Sequence, residues 1–412
     1  MSVRWHRIRR RVLLFLAVMG PGIITASVDQ DAGGITTYSV AGAQYGYTLL
    51  WSLPFIVVAL AVVQEMGTRM GVVSGRGLAD LIRQRFGVRL TLLAMAVLVL
   101  ANIANTASNF AGVAASLEIF GVARHWSVPL AALFVFGLVT QGTYRLVERI
   151  FLAASALYVV YVVSALLAAP AWGDIVRQTV RPTFSLDGGY LTTLITIVGT
   201  TIAPWMQFYL QSSVVDKGIR LRDLRWARLD AYVGSVAAGL IAFFIIVACG
   251  ATLHPHGIPI ESAKDAALAL EPVAGRYAST LFAFGLLNAS VFACAILPLS
   301  TAYAVCEALG WETGVDRRPR EAPGFFVIYT LMIVLGAAPI LLPQAPLVAI
   351  MFWSQTLNGL LLPVVILVML KLINDPDIMG RYVNSVPFNL VAWGTAAVMI
   401  ALSVLLLFAS VV

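Results

Sequence analysis

Long apolar runs separated by short polar stretches recur along the whole 412-residue chain. Runs such as LTLLAMAVLVLA (residues 90–101) do not alternate apolar and polar positions, so they predict helices rather than strands of a membrane barrel. A helix needs about 20 mainly apolar residues to cross a bilayer. Eleven segments meet this requirement: residues 11–46, 48–75, 88–120, 126–144, 148–169, 189–215, 228–254, 276–309, 322–342, 345–373 and 387–411.

The composition agrees with a chain that lies mostly in lipid. Hydrophobic residues make up 60% of the sequence and charged residues 11%, whereas an ordinary soluble domain carries about 25% charge. We therefore expect an all-α integral membrane protein that forms a single transmembrane domain over residues 1–412. No set of nucleophile, histidine and acid lies within the apolar segments, so we expect no enzyme activity.

The formal net charge of +7 is explained by where the basic residues lie. When the connections between segments are assigned alternately to two sides, 22 of the 27 Lys and Arg residues fall on the side of the N-terminus. Short cytoplasmic connections carry such an excess. We expect the protein to lie in a bacterial inner membrane, with a cytoplasmic N-terminus and an extracytoplasmic C-terminus. The excess of Lys and Arg on one side of the bilayer explains the net positive charge. We infer neither a nucleic acid nor an obligate protein partner.

The first segment is interrupted at VDQDAGG (residues 28–34), which places Asp29 and Asp31 beside Gly33 and Gly34. A carboxylate in the middle of a membrane costs at least about 2.5–3.5 kcal/mol, and paired glycines weaken a helix. The pattern predicts a helix that is unwound around a polar site. The alternative, a loop between two short helices outside the membrane, leaves residues 12–26 too short to span a bilayer.

The sixth segment repeats this interruption at Gly199, Thr200, Thr201 and Pro204. Proline removes a backbone donor, and freed carbonyls are tolerated at membrane depth only where they face protein or a watery cavity. Interrupted segments at matching positions of two halves indicate the midplane binding site of a transporter. Five spans are an odd number, so the second set of five crosses the membrane in the opposite orientation to the first. We therefore expect inverted repeats over residues 1–169 and 189–373, with 387–411 as an added helix.

The two interruptions bring together oxygen ligands, which suit hard divalent cations. Asp29 and Asp31 are the only acids near the middle of either interrupted segment, and we expect Asp31 to be the principal ligand. Other residues are expected to complete the site with a carboxylate, backbone carbonyls or side-chain amides, or to leave room for the ion because they are small. They are Asp29, Val28, Gly34, Thr201, Ala203, Gln207 and Gln355. The cation is a transported substrate, and no cofactor is expected.

Three acidic residues outside the interruptions have other expected roles. Glu65 and Glu307 lie towards the cytoplasmic ends of their segments, where we expect them to pair with arginine. Glu118 lies at the outer end of the third segment, where it is a candidate for an entry vestibule. The loop histidines His254 and His256 are expected to be solvated rather than to bind metal.

Several motifs resemble the natural-resistance-associated macrophage protein (Nramp) family of divalent-metal transporters. They are the interrupted first segment after GPG, AGAQYGYTLLW, QEMGTRMGVVSGRGLADLIRQRFG, TTIAPWMQFYLQSS and WSQTLNGLLLP. The resemblance implies a 5+5 inverted-repeat fold of the LeuT type, in which helices 1 and 6 are broken at mid-membrane.

The departures from the family pattern concern the ion that is bound. The family's Asp-Pro-Gly-Asn is here Asp31-Ala32-Gly33-Gly34, so the asparagine is lost, and its Met-Pro-His aligns by its proline with Ala203-Pro204-Trp205. An alignment shifted by one residue places Met206 opposite the histidine instead. Where the family carries acids implicated in proton movement, this chain has Thr106 and Asn109.

These departures resemble the Nramp-related magnesium transporter branch. The loss of a sulfur ligand removes a preference for softer metals, and a wider oxygen-lined site suits Mg²⁺, which usually keeps several of its waters. We expect uptake of Mg²⁺, and also of Mn²⁺, by a uniporter that is not coupled to protons. The alternatives are a proton-coupled Mn²⁺/Fe²⁺ transporter of the ordinary Nramp type and a cation-coupled amino-acid symporter, against which the bulk of Trp205 and Met206 argues.

Overall fold

The computed structural model describes residues 21–141, 155–315 and 317–409, and every regular element within these ranges is helical. The longer helices are α1 (Pro21–Asp29), α2 (Ala32–Tyr45), α3 (Ser52–Ser74), α4 (Leu78–Glu118), α5 (Arg124–Thr140), α6 (Val159–Leu167), α7 (Trp172–Val180), α8 (Gly188–Thr201), α9 (Pro204–Asp216), α10 (Leu224–Thr252), α11 (Ala278–Leu309), α12 (Pro323–Ala337), α13 (Leu347–Ile373) and α14 (Val386–Ala409).

Every described part of the eleven apolar segments is largely helical, and no strand occurs in the described chain, so the all-α membrane fold is confirmed. Eight helical stretches of the described chain are long and apolar enough to cross a membrane, and a ninth arises if Ala156–Leu167 and Trp172–Val180 count as one span bent by 113°. α5 is shorter, and α1 with α2 forms the interrupted first segment. Residues 11–20, 142–144, 148–154 and 410–411 of the expected segments lie outside the described residues.

Two elements differ from the expected boundaries. α4 begins ten residues before the expected start of the third segment, and it bends at Gly87, whose φ of 77° is in the left-handed region that glycine tolerates. α7 lies in a stretch that was expected to be a connection; it has Asp174 in its first turn and Arg177 in its last. These charges complement the helix dipole.

The centre of the molecule is formed by α4, which packs along α11 and α13, while α8 packs along α13. α10 lies against α1, α2 and α3 on the other side of the interrupted first segment. Large apolar side chains point outward around this bundle: Leu133, Phe284 and Leu390 are 68%, 55% and 76% exposed. An outward surface of this kind suits contact with lipid.

Candidate metal site at the two helix breaks

The first break consists of Gln30 and Asp31, between α1 and α2. Asp31 is the N-cap of α2: its backbone is extended, and its Oδ1 accepts a 2.8 Å hydrogen bond from the backbone N–H of Gly34. Aspartate suits this position because its carboxylate satisfies an amide that has no partner within the helix. The cap therefore fixes one oxygen of the expected principal ligand at the positive end of α2.

The other oxygen of Asp31 is held by Asn109 on α4. The Asn109 amide nitrogen donates to Asp31 Oδ2 at 2.8 Å and to the carbonyl oxygen of Asn105 at 2.9 Å, and Asn109 Oδ1 accepts from the backbone N–H of Ala32 at 3.1 Å. Both amide hydrogens and the amide oxygen are thus engaged. Asn109 orients the Asp31 carboxylate and leaves each oxygen one lone pair that these bonds do not use.

Neutral amides extend this network from α4 to α13. Asn105 and Asn358 exchange two hydrogen bonds of 2.9 Å, and Asn358 also donates to Gln355 Oε1 at 2.8 Å. The Gln355 side chain lies so close to Gly33 that a Cβ at Gly33 would meet it. The expected site residue Gln355 is therefore positioned against the first break by packing and by Asn358.

The second break consists of Ile202 and Ala203, between α8 and α9, and Pro204 begins α9. Proline suits the first position of a helix, where its missing N–H has no partner to lose. The Thr201 hydroxyl donates to Ile197 O at 2.7 Å and lies 2.8 Å from the Tyr38 hydroxyl, which therefore donates to it. This bond joins the end of α8 to α2 and brings the two breaks together.

Three side chains at the breaks, those of Asp29, Gln30 and Gln207, have buried polar atoms without a partner; in Gln30 the atom is Oε1. Asp29 Oδ2 accepts from the Gln30 side chain at 3.2 Å, but Asp29 Oδ1 has no partner, and neither amide atom of Gln207 has one. Asp29 and Gln207 are only 3% and 0% exposed. Buried polar groups are nearly always hydrogen-bonded. The unpaired oxygens are therefore available as ligands for an ion or its water, whereas the Gln207 amide nitrogen can only donate a hydrogen bond.

The glycines of both interruptions, and Thr200 and Thr201 of the sixth segment, lie within helices and not in the unwound stretches, which corrects the expected boundaries. Gly33 and Gly34 belong to the first turn of α2, and Gly199 is inside α8. A Cβ at Gly34 would meet the backbone oxygen of Asp29, and a Cβ at Gly199 would meet Gln355 O and Gly359 N. These glycines are needed because the backbones approach closely.

Several residues near the site carry no local signal in the sequence. Cys294 on α11 is fully buried. It lies one turn beyond Ser290, which packs with Ala32 of α2 around Gly112, so α11 carries a thiol close to the first break that the motif itself does not contain. A sulfur is also present at Met351 on α13, which accepts from the Thr36 hydroxyl at 3.5 Å. Their positions depend on helix packing across long stretches of chain.

The structure tests the predicted arginine partners of two acidic residues outside the breaks, Glu65 and Glu307. Glu65 pairs with Arg69 at 2.9 Å and Arg228 at 2.7 Å, as expected. The expectation for Glu307 is wrong within the described chain: it has no arginine partner there and accepts from the Ser212 hydroxyl at 2.6 Å. Its carboxylate lies beside Gly77, the N-cap of α4, where the helix offers unpaired amides.

Glu118 and the loop histidines are engaged in local contacts. Glu118 forms an ion pair of 2.9 Å with Arg124, which also donates to Ala345 O at 3.1 Å. Its place in an entry vestibule stays a prediction. His254 Nδ1 lies 3.0 Å from Ala43 O, and His256 Nδ1 lies 2.8 Å from Thr252 O. In the part of the chain that the structure describes, no three His, Cys, Asp or Glu residues form a group that could hold a metal ion.

The model of the natural resistance-associated macrophage protein-like family matches residues 22–409. The chain belongs to the Nramp family. It is 27% identical to the divalent metal cation transporter MntH of Deinococcus radiodurans, over 96% of this chain and 89% of that protein. It is 26% identical to MntH of Verminephrobacter eiseniae, over 97% and 90%.

Solved structures confirm the fold of this Nramp-family chain. The manganese transporter of Eremococcus coleocola superposes with a TM-score of 0.80 at 20% identity, covering 96% of this chain and 86% of that one. MHP1, a nucleobase-cation-symport-1 family transporter, superposes with a TM-score of 0.57 at 17% identity, covering 95% and 90%. The predicted LeuT-type architecture is therefore confirmed. The family match and the relatives named divalent metal cation transporters identify the chain as a membrane transporter rather than an enzyme.

Proposed function

We propose that this Nramp-family transporter carries Mg²⁺, and also Mn²⁺, into the cell through a hydrated, oxygen-lined site at the two helix breaks. Divalent metal cation transport is the function named for its MntH relatives. The solved relative is named a manganese transporter, so the preference for Mg²⁺ is our inference from this chain's own residues, as is uniport.

The proposed ligand set follows from the residues at the breaks. Asp31 is the principal ligand, because its cap and Asn109 orient both carboxylate oxygens. Asp29 and Gln207 supply the atoms that have no protein partner. The other residues of the proposed site contribute backbone carbonyl oxygens or a hydrogen-bonded side-chain amide, or leave room for the ion because they lack a side chain. They are Val28, Thr201, Ala203, Gln355 and Gly34.

One observation carries the preference for a hydrated cation: the buried groups left open at the breaks are oxygens and an amide. Mg²⁺ dehydrates reluctantly and is usually bound through one or two carboxylates together with waters. Water molecules bound to the ion can form hydrogen bonds with Asp29 Oδ1 and with the Gln207 amide. Both side chains would then have hydrogen-bond partners without contacting the metal directly.

The side chains around Asp31 also support uniport. Asn109, Asn105 and Asn358 form a continuous hydrogen-bonded chain that begins at Asp31, and none of them titrates. A proton relay through a membrane protein needs titratable groups. The amide chain therefore supports ion movement without a coupled proton along this route.

The decisive experiment is ion flux into proteoliposomes that contain a magnesium-sensitive dye. We expect external Mg²⁺ to enter through the wild type and Mn²⁺ to compete with it, whereas Asp31→Ala should reduce both fluxes to the protein-free level. Asp174→Ala is the matched control, because this aspartate lies on exposed α7 and pairs with Arg177 at 3.2 Å.

The alternative of an ordinary proton-coupled Mn²⁺/Fe²⁺ transporter predicts a different result. Mn²⁺ would then enter with accompanying acidification, while Mg²⁺ in excess would neither enter nor compete. That outcome would retain the site at the breaks and reject the proposed ion.

A further inference from the structure

A cavity of about 470 Å³ lies between the outer ends of α2, α8 and α13 and the segment around Ile260 and Glu261. The positive charge bias of the connections assigns this end of the molecule to the extracytoplasmic side. Gln44, Thr192 and Trp353 are among the residues that line it. The cavity is therefore placed where an ion approaching from outside would first enter the protein.

Glu261 is the one charged side chain among the described residues that line this cavity. None of the ion pairs among the described residues includes Glu261, and its side chain is exposed. The neighbouring carboxylate of Asp265 is already used: its Oδ2 accepts from the backbone N–H groups of Glu261 at 3.1 Å and Ser262 at 2.7 Å. Glu261 thus contributes an uncompensated negative charge to the cavity.

The lining offers hydrogen-bond acceptors. The Thr192 hydroxyl donates its own hydrogen to Gly188 O at 2.8 Å, so its oxygen presents lone pairs. The Glu261 carboxylate is an acceptor only. Water bound to a divalent cation is a hydrogen-bond donor, so these groups match a hydrated cation. Six waters occupy about 180 Å³ at about 30 Å³ each, which fits within the cavity.

A row of threonines leads from the cavity to the proposed ion site. Thr192, Thr196 and Thr200 are spaced by four residues and lie on one face of α8. Thr196 and Thr356 are joined by a 2.6 Å contact between their hydroxyls, which lies between the cavity and the breaks. At the inner end, Thr200 Oγ1 is 3.3 Å from where a Cβ of Gly34 would be.

We propose that this cavity is a reception site for hydrated divalent cations, in which Glu261 supplies the charge that concentrates them before the Thr196–Thr356 contact opens. The ion keeps its water here and is held through that water. This inference rests on the proposed transport of divalent cations. Charge in a cleft raises the local ion concentration and the rate of association, so Glu261 acts on capture and not on the passage through the breaks.

The first test separates capture from passage. Glu261→Gln should raise the KM for Mg²⁺ uptake about threefold to tenfold at low ionic strength, with less effect at high salt. The maximal rate should stay at the wild-type value. Glu271→Gln is the matched control, because Glu271 is exposed, follows in the same connection and does not line the cavity. An unchanged KM in Glu261→Gln, or a loss of maximal rate, would overturn the proposal.

A second test uses cobalt(III) hexaammine, an inert mimic of a fully hydrated divalent cation that cannot exchange its ligands. It should inhibit uptake by the wild type and Glu271→Gln competitively, and inhibit Glu261→Gln several-fold less. Absence of inhibition, or equal inhibition of all three proteins, would reject the reception site.

The two proposals fail in distinguishable ways. If wild-type protein moves Mn²⁺ but not Mg²⁺, the proposed ion is wrong, and the same Glu261 comparison is then made with Mn²⁺, because capture depends on charge and hydration. If Mg²⁺ uptake is normal and the Glu261 variant behaves as the wild type, the reception site alone is rejected.

Discussion

The side-chain amide of Asn109 donates a 2.8 Å hydrogen bond to Oδ2 of Asp31, although 78 residues separate them. The same asparagine accepts from the backbone N–H of Ala32, the first residue of α2. A neutral side chain from α4 thereby fixes both the carboxylate and the start of the helix behind it. Because residue 109 is an asparagine and not an acid, Asp31 shares no proton with it.

The Asn109–Asp31 contact predicts that one substitution introduces pH dependence. Asn109→Asp would place two carboxylates within hydrogen-bond distance, where like charges cannot both ionise and one proton is retained between them. Metal binding must then displace that proton. We expect Mg²⁺ uptake by the variant to fall more steeply than wild-type uptake as the external pH is lowered.

The measurement is the initial rate of Mg²⁺ uptake across a pH series. Asn102→Asp serves as a control, because Asn102 lies on the same helix and donates to Thr301 at 2.8 Å rather than to Asp31. Identical pH profiles for Asn109→Asp and the wild type would show that this contact does not persist in the ion-binding state.

Asp31 is expected to have separable roles in ion binding and in helix capping. Asp31→Ala should abolish uptake and also destabilise the protein by about 1 kcal/mol through loss of the cap. Asp31→Asn retains an oxygen that can cap α2, so it should abolish uptake with little loss of stability. Asp29→Ala should reduce uptake less than either variant.

Thermal unfolding in detergent and proteoliposome flux, measured on the same preparations, test this separation. Wild-type flux through Asp31→Asn would remove Asp31 from the site. A stability loss as large in Asp31→Asn as in Asp31→Ala would instead show that the charge, and not the cap, stabilises the break.

The sequence alone predicts the spans, the two interruptions and the carboxylates, because apolar length and buried charge are local signals. It does not predict which polar groups meet. The Tyr38–Thr201 and Asn105–Asn358 contacts join residues that are 163 and 253 positions apart. Gly33 and Gly199 illustrate the same limit: they read as helix breakers, but they lie within helices and permit contact with α13.

The close approach at Gly199 predicts a large effect of a single methyl group. In Gly199→Ala the new Cβ would meet Gln355 O and Gly359 N, both backbone atoms, so α8 and α13 must separate. Overpacking of this kind costs about 1–3 kcal/mol. Gly188→Ala is the control, since a Cβ there has nothing within 4 Å. The midpoint of thermal unfolding should fall in Gly199→Ala alone; equal midpoints would mean that the helices pack less closely.

Ala203 at the second break predicts how ion preference can be changed. Ala203→Met adds a thioether beside the proposed site, and a soft ligand favours Mn²⁺ over Mg²⁺. Ala203→Leu adds similar bulk without sulfur and is the control. Gly34→Asn is a poorer test, because a Cβ at Gly34 meets the Asp29 backbone oxygen.

Competition of Mn²⁺ against Mg²⁺ uptake measures the preference of each Ala203 variant. We expect the ratio to shift toward Mn²⁺ in Ala203→Met only. The same shift in Ala203→Leu would assign the effect to volume, and no shift in either variant would place Ala203 away from the ion.

Uniport predicts that the membrane potential alone drives accumulation. Two positive charges gain about 4.6 kcal/mol for each 100 mV of inside-negative potential, which corresponds to about a 2,000-fold gradient at equilibrium because every 1.4 kcal/mol is tenfold. Liposomes that contain a pH dye and hold an inside-negative potential should therefore take up Mg²⁺ without acidification. Asn109→Asp is the informative comparison, since it adds a titratable group next to Asp31. Acidification in the wild type that rises with Mg²⁺ dose and disappears in Asp31→Ala would defeat uniport, because protons would then travel with the ion by a route other than the amide chain.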